Sequence, residues 1–338
     1  MKNYDFAYHI TNFLTVYLPR QRNASKETIL SYRDTYSNLL RFCKEERSLP
    51  PEKVRFNQIN AHLIEDFMLW LESSRGSSAS TRNQRLAAVR SFFRYLQIEA
   101  PEQLLLCQSI LSLKRAKTPK PMVKYLTHNQ IKLLLEQPNV NDWDDRRDLA
   151  ILYLLYDSAA RVQEICDVKV CDIHTSAPAT VRLTGKNSKT RIVPMSDAVS
   201  ILLQQYINER GLNTPGFASR PLFTNRQGNK LTRSGVSYIL AKYVEKANED
   251  ASDIKIEKIT PHCLRHSKAM HLLESGVNLI YIRDFLDHED IKTTQMYARA
   301  NPEVKRDAIL KAHASESASQ LPAWKDNPGL MKFLKSLG

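Results

Sequence analysis

The sequence predicts a mainly α protein. A small N-terminal helical bundle precedes a larger, mostly helical domain with a small antiparallel β-sheet. Three observations carry this expectation. Apolar residues recur at helical spacing along most of the chain. Two short β-rich runs, Thr180–Leu183 and Arg191–Val193, flank a single turn. A stretch of prolines and basic residues, LKRAKTPKPMVKY from Leu113 to Tyr125, separates two regions and reads as an extended linker. With 338 residues, two domains are the ordinary expectation.

A first helix is predicted over Phe6–Leu18. After Ser25, the residues Ile29, Tyr32, Tyr36, Leu40 and Cys43 form a helical stripe, and Leu63, Phe67, Trp70 and Leu71 form another. Ser80 is the expected N-cap of a helix with Leu86, Val89, Phe93 and Leu96 on one side. Four such helices bury their stripes only against one another, which makes a bundle over residues 1–112. Beyond the linker at 113–125, Thr127 and Gln130 have capping-box spacing. Further helices are expected at Asp144–Ser158, Asp197–Glu209, Ser234–Asn248, Pro261–Ser275 and Leu279–Leu286. The stretch Ala314–Gln320 is small and polar, and Leu330, Phe333, Leu334 and Leu337 form a last short apolar stripe.

Composition narrows the function classes. Hydrophobic residues at 42% and charged residues at 25% exclude wholesale disorder. No stretch approaches the ~20 apolar residues of a membrane span. The apolar run Phe13–Leu18 has neither the basic approach nor the small-residue cleavage site of a leader peptide. Five cysteines without a Cys-x-x-Cys pair support neither a disulfide framework nor structural zinc, and a reducing cytoplasm is expected. The formal net charge of +13 points to a polyanion. Arg82, Arg85, Arg90, Arg94, Lys114, Arg115, Lys117, Lys120 and Lys124 face only Glu99 and Glu102 between Gly76 and Lys124. A charge run is more often a solvated face, but beside a basic hinge nucleic acid is the favoured partner. Arg82 and Arg85 are read in the first turns of their helix, where a cation opposes the macrodipole and a bound phosphate relieves it.

Four separated pieces carry chemistry. They are Ala159-Ala160-Arg161-Val162-Gln163-Glu164; Thr184-Gly185-Lys186-Asn187-Ser188-Lys189-Thr190-Arg191; Thr260-Pro261-His262-Cys263-Leu264-Arg265-His266; and Leu286-Asp287-His288, followed by Thr293-Thr294-Gln295-Met296-Tyr297. Thr260 suits an N-cap and Pro261 the first helical position. His262 and Arg265 then lie three apart on one helix face. Guanidinium forks match the two free oxygens of a phosphodiester and stabilise growing charge. Histidines move protons near neutral pH. A tyrosine with an ordinary pKa of ~10 becomes a nucleophile only beside cations.

The ordered set Arg161, Lys186, His262-x-x-Arg265, His288 and Tyr297 resembles the tyrosine recombinase (phage integrase) family. The phrase HCLRHSKAMHLLESGVNLIYIRDFLDHEDIKTTQMYARA is similar to that family's C-terminal signature over nearly its whole length. The match spans about Thr127 to Pro302. The plan looks most like Xer-type and transposon-borne members. The resemblance implies a SAM-like core-binding domain at 1–112, a catalytic domain at 126–313, and a tail at 314–338 whose helix packs on a neighbouring subunit. It implies that Arg161 and Arg265 grip the scissile phosphate and that Lys186 protonates the leaving 5′ oxygen. His262 would assist proton transfer, His288 would hydrogen-bond the phosphate, and Glu164 would brace Arg161 or a neighbouring helix. Tyr297 would attack phosphorus to give a 3′-phosphotyrosine. Double-stranded recombination sites, a homotetramer in the synaptic complex and a Holliday junction follow, with no metal, ATP or other cofactor. Candidate DNA contacts are Arg82, Arg85, Arg90, Lys114, Arg115, Lys120, Lys189 and Arg233. Two positions depart from the family: Asp287 replaces the usual glycine before the histidine, and Ala159 stands where glycine is frequent. Asp tolerates a left-handed turn less readily than Gly.

Other readings compete. Lys189 rivals Lys186, and Gly185-Lys186 lacks the upstream glycine of a phosphate loop. His262 and His266 have i, i+4 metal spacing without the glutamate of a zinc-protease helix. Asp287, His288, Glu289 and Asp290 are the acidic turn a metal-dependent nuclease would need. Tyr281 is the nearest rival nucleophile and is assigned to the core. A catalytically idle architectural protein would retain the basic bundle without needing Tyr297.

Overall fold

The structure is a computed structural model and describes residues 5–118, 123–185, 189–250 and 254–300. Two compact units divide after Pro121. The expected fold class is borne out: helices dominate, and one small antiparallel sheet lies in the second unit. Among the described residues, no helix is long and apolar enough to cross a membrane.

The first unit holds α1 (Phe6–Asn12), α2 (Lys26–Arg47), α3 (Ala61–Ser73), α4 (Ala79–Glu99) and α5 (Leu104–Leu111). The first helix changes pitch after Asn12 and winds as a π-helix to Gln21, past the expected end at Leu18. Pro19 lies inside it; it donates no N–H and crowds the preceding turn, which wider winding relieves. Ser25 and Asn60 cap α2 and α3 through their side-chain oxygens. The cap of α4 is Ser78 and not Ser80, because the Ser78 hydroxyl takes the Thr81 N–H at 3.2 Å. Arg82 and Arg85 therefore sit two residues deeper than expected, where the end charge is weaker. The short helix α5, absent from the sequence reading, buries Cys107 and Ile110. An aromatic core of Phe13, Tyr36, Phe67, Phe92 and Phe93 holds the bundle, each ring contributing roughly 1.5–3 kcal/mol. Asn83 makes two hydrogen bonds of 2.9 Å to the backbone of Ala116, fixing the start of the basic stretch against α4.

The second unit contains α6 (His128–Leu135), α7 (Trp143–Asp157), α8 (Val162–Asp167), β1 (Ile173–His174), β2 (Thr180–Thr184) and β3 (Thr190–Pro194). It continues with α9 (Asp197–Glu209), α10 (Arg233–Asp250), α11 (Pro261–Glu274), α12 (Leu279–Leu286) and α13 (Ile291–Ala300). The Thr127–Gln130 capping box forms as expected. The strands pair antiparallel in the order β1-β2-β3, with Val181 opposite Val193 and Thr184 opposite Thr190. Strand β1 has two residues, too few for an alternation to be read. Its main core joins Leu134, Ile151, Leu155, Val181, Leu203, Leu240 and Leu264. A smaller core of Ala269, Met270, Ile282, Leu286 and Tyr297 fastens α12 and α13 onto α11. That second core fixes where Tyr297 stands. Tyr281 is a correction: it is 70% exposed, because α12 buries the face of Ile282 and Leu286 and Tyr281 lies off it.

Candidate active site

Arg265 occupies the first turns of α11 and is 1% exposed. Its Nη1 donates to the Ala159 carbonyl at 2.7 Å and its Nη2 to the Leu286 carbonyl, while Nε has no partner among the described residues. Both carbonyls stand at helix C-terminal ends, α7 and α12, where orphan oxygens and the dipole favour a cation. Ala159 adopts φ +47° just past α7, which halts the helix and presents its carbonyl. Burial pushes the guanidinium down to about 10, helped by Arg161 and Arg191; it still carries its charge at neutral pH. Thr260 occupies the N-cap position of α11, yet its side chain makes no capping bond and its hydroxyl lies 3.6 Å from Cys263 Sγ.

Arg161 lies past the end of α7 and occupies the N-cap position of the separate helix α8. Glu164, 2% exposed, accepts the Arg161 backbone N–H at 2.7 Å and its Nη1 at 2.9 Å. The same carboxylate takes both terminal nitrogens of Arg191 at 2.8 Å. Burial raises the Glu164 carboxyl, but Arg191 and then Arg161 outweigh it, and the group lies below its usual value. Glu164 thus braces two arginines. Arg191 closes one of the four pieces of the sequence reading but has no role there, although a signal existed: it shares the parity of buried Val193 on β3, while Ile192 between them is exposed. Gly185 closes over this group. A Cβ there would meet Glu164 Oε1 at 3.1 Å and Arg161 Nη1 at 3.5 Å, so only a bare Cα fits without displacement.

Asp287 ends α12 in the left-handed region, at φ 52°. Its carbonyl accepts Arg161 Nη2 at 3.0 Å, and its Oδ2 lies 3.3 Å from Arg161 Nη1. His288 follows, its Nδ1 3.0 Å from the buried Thr294 hydroxyl. The Tyr297 hydroxyl lies 2.8 Å from Nδ1 of His266, and its ring stacks with His288 at 6.4 Å. His262 and His266 meet edge to face at 4.5 Å. Tyr297 is 1% exposed, and burial pushes its phenol up to about 12 against the pull of Arg265. The phenol is therefore covered and keeps its proton at neutral pH. His266 was weighed only as a metal ligand; its place one turn after His262 was the available signal.

Burial and neighbouring cations depress the histidines. His266 and His288 are each lowered to about 4, by burial first and then by charged neighbours. His271, stacked on His128 at 3.7 Å and 2.8 Å from the Tyr156 hydroxyl, is also lowered to about 4, by burial and then His128. His262 shifts the same way through burial, Arg265 and Arg161, but it is exposed and solvent screens it. Folded histidines lowered below the unfolded value of ~6.5 keep their full stabilising effect above that pH. It is lost as pH falls from there toward 4. The melting temperature is expected to drop across that window, and His271→Asn should flatten the drop; a level profile between about pH 6.5 and 4.5 would contradict it.

Of the expected site, the structure joins Arg161 to Glu164, with Asp287 added, and holds Arg265 on the Ala159 and Leu286 carbonyls; His262, His288 and Tyr297 form a contiguous set with His266 added. Lys186, Lys120 and the Leu330–Leu337 stripe lie outside the described residues. Lys189 is exposed and pairs with Glu289 at 2.8 Å. In the bundle, Lys114 and Arg115 are exposed and Arg90 is half-buried. Arg82 lies 3.7 Å from Glu72. Arg85 donates to the Ser31 carbonyl at 2.9 Å and to the Thr35 hydroxyl at 3.1 Å, which ties it to α2. Arg233 is exposed at the start of α10.

Residues 124–303 match the phage integrase family, and residues 10–100 match the phage integrase N-terminal SAM-like domain. The chain belongs to the phage integrase family. It is a tyrosine recombinase by kinship as well as by signature. A putative integrase/recombinase of Sinorhizobium fredii is 33% identical over 97% of both chains. Tyrosine recombinase XerC of Pelotomaculum thermopropionicum is 31% identical over 90% of this chain and 97% of its own. The fold is shared with the Tn1549 transposon integrase, solved in complex with transposon right end DNA (TM-score 0.71, 16% identity, 90% of this chain and 99% of that one). It is also shared with XerH recombinase bound to a palindromic difH substrate (TM-score 0.66, 20% identity, 85% and 80%).

Proposed function

We propose that this family member is a site-specific DNA recombinase that cuts and rejoins duplex DNA through Tyr297. The observation that carries the reading is the convergence of two arginines, three histidines and one phenol, drawn from the N-cap of α8, from α11, from the turn after α12 and from α13. Arg161 and Arg265 grip the two non-bridging oxygens of the scissile phosphate. Their helix-end anchors hold them in place before DNA arrives, so little reorganisation opposes the charge that grows on phosphorus. Tyr297 oxygen bonds to phosphorus as the bond to the 5′ oxygen breaks. His266, 2.8 Å from the phenol oxygen, takes its proton with His262 packed against it, and Lys186 donates the proton that the leaving oxygen needs. His288 donates a hydrogen bond to the phosphate. The 3′-phosphotyrosine conserves the phosphodiester energy, so rejoining requires neither ATP nor a metal. Tyr297 is 1% exposed, and in this reading α13 shifts to bring its phenol to the phosphate.

The partners in this reading are two duplex sites and three further copies of the chain, exchanging strands in pairs through a Holliday junction. Contacts from Arg82, Arg85, Arg90, Lys114, Arg115, Lys120, Lys189 and Arg233 supply backbone affinity, which weakens steeply with salt. The reaction is placed in the cytoplasm, in keeping with five free thiols, four of them buried.

The test is covalent capture. A nicked duplex library with a randomised centre is incubated with the protein in EDTA and resolved on a denaturing gel. An adduct that Tyr297→Phe abolishes supports the proposal. Binding without an adduct favours the architectural reading, and cleavage that EDTA stops favours the nuclease.

A further inference from the structure

We infer that the Asp287 carboxylate is an internal competitor for the scissile phosphate, holding Arg161 until DNA displaces it. The inference rests on the reading that Arg161 binds that phosphate. Arg161 is the more exposed of the two gripping arginines, and its outer face is where an anion approaches. That face already holds an anion. Asp287 Oδ2 lies 3.3 Å from Arg161 Nη1 and 4.0 Å from Arg191 Nη1, and the carbonyl of the same residue takes Arg161 Nη2. The carboxylate therefore spans the two guanidiniums, sharing Nη1 of each with buried Glu164. Its own side chain is 34% exposed, so it has room to rotate away. The backbone contact to Arg161 needs no carboxylate and survives that rotation.

The chemistry of the position points the same way. A residue at φ 52° carries strain for an ordinary L side chain, and glycine would relieve it. A carboxylate here adds strain and places a negative charge beside the expected phosphate. It is compensated only while no further anion joins Glu164 and Asp287 on Arg161 and Arg191. A phosphate oxygen arriving at Arg161 Nη1 replaces the Asp287 contact and repels the carboxylate at close range. The Asp287 contact thereby opposes an incoming phosphate, and DNA that delivers one phosphate weakly does not displace it.

The test compares sulfate affinity in the full-length protein, by titration calorimetry in chloride buffer, for wild type, Asp287→Asn, Asp287→Gly and Asp284→Asn. Asn and Gly accept a left-handed backbone. Asp284→Asn makes the same charge change on an exposed residue paired with Arg283. Removing the carboxylate at 287 is expected to tighten sulfate about tenfold, roughly 1.4 kcal/mol, and Asp284→Asn is expected to leave it unchanged. Equal or weaker sulfate binding by Asp287→Asn overturns the inference, and so does an equal gain in Asp284→Asn. On a captured nicked duplex below saturation, Asp287→Asn should form its adduct several-fold faster than wild type; a slower rate also overturns it. If wild type forms no adduct, the recombinase reading fails, and the sulfate arm still decides the role of Asp287.

Discussion

Arg265→Lys is expected to lower single-turnover adduct formation by about 10²–10³-fold, the loss typical of one preorganised charge donor. The replacement keeps a cation but removes the fork. Arg265 faces two carbonyls, Ala159 and Leu286, from a 1% exposed position. A lysine ammonium reaches one of them and loses the planar register that bidentate phosphate contact needs. The rate should fall much more than DNA affinity, because the backbone contacts elsewhere are untouched. A loss confined to affinity would place Arg265 outside the reaction. Arg265→Ala is a poorer probe, since each buried carbonyl left unpaired costs about 1–3 kcal/mol and damages the fold as well.

Glu164→Ala is expected to destabilise the second unit by about 3–5 kcal/mol, because it leaves buried guanidinium charge without its counterion. For a unit of this size that corresponds to a fall in melting temperature of roughly 6–20 °C. Arg191 is the partner that decides the size, through two bonds of 2.8 Å. Replacing Glu164 and Arg191 together by apolar residues of similar volume should restore much of the loss, since removing both charges removes the imbalance. Chemical or thermal unfolding of the two single variants and the pair reads the coupling directly. A paired loss equal to the sum of the two single losses would show that the charges do not depend on each other.

Much of the fold was legible because it follows from local rules. The stripes of α2, α3 and α9 are periodic, and Thr127–Gln130 is a local hydrogen-bonding pattern that needs no tertiary partner. What failed was where several local choices competed. Ser78 and Ser80 are both capable caps, and only the hydroxyl geometry with Thr81 selects Ser78. Tyr281 sits in an apolar-looking helix whose buried arc excludes it, which a short helix does not reveal. Strand β1 and helices α5 and α8 are too short to show a period.

The site divides in the same way. Residues that stand in a contiguous phrase, such as His262, Arg265, His288 and Tyr297, were readable in order. Arg191 and His266 were not, because their roles come from partners distant in sequence: Glu164 is 27 residues from Arg191, and Tyr297 is 31 residues from His266. The arginine anchors are backbone carbonyls, which no side-chain motif encodes. Asp287 was visible as a departure from the family, but the guanidinium it meets came only from the structure.

Peptide mapping of the captured adduct is the most direct check. Digestion of the DNA-linked protein followed by tandem mass spectrometry should find a nucleotide attached to the oxygen of Tyr297 and to no other residue. A nucleotide carried by Tyr281, a serine or a histidine, or DNA cleaved with no protein attached, would contradict a phenol-centred strand exchange.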